Sequence, residues 1–101
     1  MSNKIIFIPN AQDDMMNAFD WYELQWEGLG NKFLLDIEYC VRRISFSPNM
    51  YPVVYKQYHR AVVKKFPYAV LYNNQHHTIV VYGVFHTSQH PDKWLYRLDN
   101  L

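Results

Sequence analysis

At 101 residues, half of them apolar and 18% aromatic, the chain is long enough for one modest core, too short for two and too oily for a disordered polymer. No run approaches the ~20 apolar residues of a membrane span, and a single cysteine excludes a disulfide within the chain. The net charge of +1 hides a division: residues 1–50 carry four basic and seven acidic side chains, residues 51–101 six and two.

In chain order, "KIIFIP" is a short apolar run ending at a proline, which predicts a first strand. The opening "MSNKIIFIPN" has too few apolar residues for a signal peptide, and with the lone cysteine this leads to the expectation of a reducing cytoplasm. Asn10 is positioned to cap a helix, with Asp13 and Asp14 expected in its first turn. Ala11, Met15, Ala18, Tyr22, Trp26 and Leu29 follow at helical spacing, and Gly28 and Gly30 interrupt the pattern. Phe33, Leu34, Ile37, Val41 and Ile44 predict a second helix that stops before Pro48. Cys40 lies among these apolar positions and reads as a buried, inert thiol. So short a break between helices predicts an antiparallel hairpin.

The period then changes. "YPVVYK", "RAVVKK", "YAVLYN" and "TIVVYGVFH" read as strands, with "QYH", "FP" and "NNQHH" as the turns between them. Pro91 opens a short C-terminal segment, "PDKWLYRL", with Trp94 and Arg97 three apart. The expected architecture is α+β: an N-terminal strand, then a helical hairpin packed on an antiparallel sheet, then the C-terminal segment. All 101 residues are read as one domain.

From Tyr39 to Pro91 there is no Asp or Glu, while Arg42, Arg43, Lys56, Arg60, Lys64, Lys65 and all five histidines lie inside that span. Two readings follow. The segregation makes one side of the molecule positive, suited to phosphates or an acidic partner, or the cations keep sheet edges soluble. The oily surplus points to a surface that binds a partner. His76-His77 and His86-x-x-x-His90 lack the helical setting and nearby carboxylates of a zinc site, and no metal or cofactor is implied. No glycine-rich loop or nucleophile elbow is present. What these residue types could do is metal-free phosphate chemistry. Arg60 and Lys64 would surround the phosphate, with Lys65 as a further cation, and His86 and His90 would move protons. Tyr68 or Trp94 would stack a base. Strand alternation places Arg60 and Lys64 on one face and Lys65 on the other. Glu23, Glu27 and Glu38 read as a solvated helical face.

Over essentially its full length the chain resembles the RelE/ParE superfamily of bacterial toxins. The resemblance is carried by "AQDDMMNAFDWYELQWEGLGNKFLLDIE", "YPVVY", "HRAVVKKFPYAVLY" and "VFHTSQHPDKWLYR", in that order. It implies a toxin silenced by a cognate antitoxin in a toxin–antitoxin hetero-oligomer in the bacterial cytoplasm. The target it implies is either DNA gyrase, poisoned without cleavage, or message on the ribosome, cut without a metal. In a nuclease, His86 would be the acid-base group, Arg60 and Lys64 would stabilise the phosphate, and Arg97 would be an accessory cation. Tyr68, Lys65, His90 and Trp94 would bind. The family's ending commonly has arginine three residues after the histidine; here Gln89 stands there. Glutamine does not replace a bidentate guanidinium. The balance therefore leans to ParE-like, non-cleaving action, with RelE-like cleavage or an inactive binding module of the same fold as alternatives.

Overall fold

The computed structural model describes residues 3–101; Met1 and Ser2 of the opening segment lie outside the described residues. Strand β1 (Lys4–Phe7) leads into helices α1 (Pro9–Gln25) and α2 (Leu29–Phe46). Strands β2 (Val53–Tyr55), β3 (Tyr58–Val62), β4 (Tyr68–Gln75) and β5 (Thr78–His86) follow, then helix α3 (Pro91–Asp99). The five-stranded sheet has the order β1-β5-β4-β3-β2. Its second half is the antiparallel meander the short connections require. The sheet is not antiparallel throughout, because β1 returns beside β5 in parallel, from Lys4 opposite Thr78 to Phe7 opposite Val81. A strand separated by so much intervening chain is free of the hairpin geometry that forces antiparallel neighbours.

Helix α1 starts two residues earlier than the Asn10 cap predicts. Pro9 occupies the first turn, where a fixed φ and a missing N–H are suited, and Ile8 stands at the cap without a side-chain bond. Asp13 and Asp14 consequently fall beyond the first turn, which holds no acid. The apolar stripe buries Ala11, Ala18 and Tyr22, but α1 ends at Gln25, leaving Trp26 exposed and Leu29 to open α2. On α2, Phe33, Ile37, Val41 and Ile44 are buried as the spacing predicts, and Cys40 with them. Burial pushes the Cys40 thiol up to about 11, as an inert thiol requires.

Three acidic side chains of the helices capture backbone donors outside their own helices. Glu23 accepts from the amides of Gly28 (3.1 Å) and Gly30 (2.7 Å), so it braces the hinge and does not belong to a solvated face. Asp36, buried, accepts from Lys65 and Phe66 at 2.8 and 2.9 Å, fixing the turn after β3. Asp14 accepts from the Val84 amide at 2.9 Å.

The hairpin covers one sheet face. Its centre is an aromatic cluster in which Tyr22 and Phe33 meet Phe66 and Tyr68 at ring separations of 4.9–6.2 Å, mostly edge to face. Two expected turns are shorter than "QYH" and "NNQHH" suggest. Tyr58 and His59 already belong to β3, and β4 runs through Asn73 and Asn74 to Gln75. The β4–β5 turn is His76-His77, both at positive φ (48° and 66°), the backbone a two-residue hairpin demands. Segment "PDKWLYRL" is helical, and α3 packs Trp94 and Leu98 against Tyr58 and Tyr82 on the sheet face opposite the hairpin. That face therefore carries a helix of its own, with Asp92 and Asp99, and is not a bare acid-free surface.

Candidate functional site

Register decides which of the expected site residues can meet. Arg60 pairs with Leu71, which pairs with Gly83; Ala69 pairs with Phe85, and Tyr68 with His86. Residues opposite one another share a face, and neighbours along a strand alternate. Arg60 therefore lies with Leu71, Gly83 and Phe85 on the α3 face. His86 lies with Tyr68 on the hairpin face, its ring 5.2 Å from the Tyr68 ring and nearly perpendicular. The sheet separates the expected phosphate clamp from the expected acid-base group.

The cation cluster divides again. Strand β3 ends at Val62, so the alternation that would separate Lys64 from Lys65 does not extend to them. Both line a groove of about 860 Å³ against α2, together with Lys32, Leu35, Tyr39 and Phe66. The Lys64 ammonium sits 5.0 Å from the centre of the Tyr39 ring. Neither reaches the face of Arg60.

His86 is fixed by its own turn. Its Nδ1 accepts the Ser88 amide at 3.0 Å, with the Ser88 hydroxyl 2.7 Å away, and its amide donates to Gln89 Oε1 at 3.0 Å. A backbone N–H can only donate, so this contact engages the Nδ1 lone pair. Gln89 has a structural task here, closing the turn on the His86 amide.

The other expected site residues are engaged in the fold. His90 caps α3, its Nδ1 accepting the Asp92 amide at 3.1 Å. Trp94 packs in the small core beneath α3, and Tyr68 is half-buried in the aromatic cluster. Arg97 forms a two-pronged ion pair with Asp14, its second nitrogen 3.0 Å from Oδ1, and its guanidinium lies 4.5 Å over the Phe85 ring. With both side chains about four-fifths buried, Arg97 is a clamp between α3 and α1 and not a free accessory cation.

Sequence reasoning missed Asp14, Glu23 and Asp36, because nothing in a carboxylate's local context announces an amide 5 to 70 residues away. It also missed the cleft of about 830 Å³ between α1 and α3, walled by Trp21, Tyr68, Gln89 and Tyr96 above the Asp14–Arg97 pair. Exposed aromatic and aliphatic side chains were expected as a surplus, and the structure locates them. Trp21, Leu24 and Trp26 lie on and just after α1, and Leu35, Tyr39 and Phe46 along α2. Among the described residues no group of three or more His, Cys, Asp or Glu could hold a metal, and no helix is long and apolar enough to cross a membrane.

No protein-family model matches the chain, and no curated protein matches it. Its fold, however, has solved counterparts. One is a chain of the chromosomal ParDE TA system from P. aeruginosa, at a TM-score of 0.76 and 13% identity, covering 86% of this chain and 98% of that one. The likeness is one of fold: an N-terminal strand, a helical hairpin, a mostly antiparallel sheet and a short C-terminal helix.

Proposed function

We propose that this chain is the toxin of a type II toxin–antitoxin pair, held silent by a cognate antitoxin in the cytoplasm, and that it arrests growth by binding its target, as ParE-like toxins bind gyrase, without cutting message. The observation that carries the toxin reading is the fold shared over most of both chains with a member of a ParDE toxin–antitoxin structure. The non-cleaving action is supported by the separation of Arg60 from His86 across the sheet. It is also supported by the engagement of Arg97 with Asp14. A transesterifying nuclease needs base, acid and cations converging within hydrogen-bond reach of one phosphate.

The test is controlled induction without any antitoxin. The expected result is growth arrest with a DNA-damage response, intact transcripts on primer-extension mapping, and loss of supercoiling by purified gyrase. His86→Ala should arrest growth equally. Undisturbed growth would make the chain an inert binding module. Codon-linked transcript cuts that disappear in His86→Ala would make it a nuclease.

A further inference from the structure

The groove between α2 and the turn after β3 keeps most of its cations unpaired. Lys32, Arg42, Lys64 and Lys65 line it, together with two carboxylates, Asp36 and Glu38. Both carboxylates are already engaged. Buried Asp36 accepts the Lys65 and Phe66 amides at 2.8 and 2.9 Å, and Glu38 is paired with Arg42 at 3.0 Å. Among the described residues no carboxylate lies within ion-pair distance of Lys32, Lys64 or Lys65, and all three side chains are exposed. The backbone that carries Lys64 and Lys65 is nonetheless fixed. The Asp36 bonds tie it to α2, and the Val63 amide donates to the Tyr68 carbonyl at 3.0 Å. Lysines on a loose loop would have to be ordered as a partner binds; here the turn is ordered beforehand.

Among these cations the groove also offers apolar surface, from exposed Leu35 and half-buried Phe66. We propose that this groove is the docking site for an acidic segment of a partner protein. Its carboxylates meet Lys32, Lys64 and Lys65, and an aliphatic side chain between them covers Leu35 and Phe66. Charge complementarity selects the acid, and the apolar surface selects a peptide over a nucleic acid. Three free cations neutralise few phosphates, whereas nucleic-acid affinity grows with the number neutralised. Nor is there a free platform for a base. The exposed Tyr39 ring already has the Lys64 ammonium 5.0 Å and the Arg43 guanidinium 6.0 Å from its centre. The inference rests on the toxin reading only in naming the partner as the protein on which the toxin acts.

The experiment titrates the isotope-labelled chain, at physiological salt, with an end-blocked peptide of glutamate carrying leucine at every third position. Amide resonances of Leu35, Tyr39, Lys64 and Lys65 should shift together and saturate. A peptide with glutamine in place of glutamate loses the ion pairs, and one with serine in place of leucine loses the apolar contact. Each should bind about ten-fold more weakly. The double variant Lys64→Gln, Lys65→Gln should weaken the glutamate peptide and relieve growth arrest on induction, with the urea midpoint of the parent chain retained. Lys32→Gln, which leaves the turn untouched, should weaken the peptide in the same direction. Resonances that stay in place, equal binding of the glutamine peptide, tighter binding of oligouridylate than of the glutamate peptide, or full arrest by the double variant would each overturn the proposal. Arrest by the parent chain without peptide binding defeats this inference alone; peptide binding without arrest by the parent chain defeats the toxin reading alone.

Discussion

Asp14 is the residue on which the C-terminal end of the fold depends. One carboxylate accepts the Val84 amide at the open edge of β5 and both prongs of Arg97, joining α1, β5 and α3. Removing the guanidinium would leave a mostly buried carboxylate with one donor, at a cost of about 2–3 kcal/mol. Arg97→Ala should therefore lower the unfolding free energy obtained from urea titration by that amount. Arg97→Lys should recover only part of it, because an ammonium cannot make the forked contact. Equal stability of Arg97→Ala and the parent chain would return Arg97 to the pool of free surface cations. The sequence marks Arg97 as a cation worth notice, but its partner lies 83 residues away, and no local pattern links the two.

Among the elements, the helical hairpin was the most legible, since its core positions recur at helical spacing and its hinge is written in glycine. The two hinge glycines do different work. Gly28 sits at φ +86° with open space where a side chain would go, so Gly28→Ala would meet only backbone strain, about 1–2 kcal/mol. At Gly30 a Cβ would come within 2.8 Å of the Phe19 carbonyl and 2.7 Å of its ring and of the Glu23 side chain. Gly30→Ala must therefore push the helices apart and dislodge the Glu23 brace, and it should destabilise more than Gly28→Ala, by about 3 kcal/mol. Thermal or urea unfolding of the two variants side by side checks the order. The strand boundaries were harder to read for the same physical reason. The β4–β5 turn adopts positive φ on two histidines, without the Asn-Gly or Gly that signals such turns. The direction of β1 depends on a neighbour some 70 residues distant, which periodicity does not encode.

At the scale of the molecule, cations adjacent in sequence became neighbours of different surfaces. Arg60 went to the α3 face, Lys64 and Lys65 to the α2 groove, and His86 to the hairpin face. The sequence supplied the residue types of a phosphate site, while the early end of β3 at Val62 and the alternation of the sheet decided that they do not converge. The packing that separates them also buries ionisable acids in apolar surroundings, and this gives the whole fold a pH dependence. Burial holds Cys40 up at about 11, from 9.0, and raises Tyr22, Tyr51, Tyr68, Tyr72 and Tyr82 above their ordinary value. Each group keeps its proton longer in the folded chain than in the unfolded one. Between the two values the unfolded state binds fewer protons, so stability falls as pH rises. The loss begins near the unfolded thiol's value, between pH ~8 and ~9, and deepens above pH ~10 as the tyrosines join. Urea midpoints measured from pH ~7 to ~11 should decline along this course. Cys40→Ala should remove the earliest part of the decline and leave the later, tyrosine-driven part, whereas a flat midpoint across that range would mean these hydroxyls and the thiol are open to water.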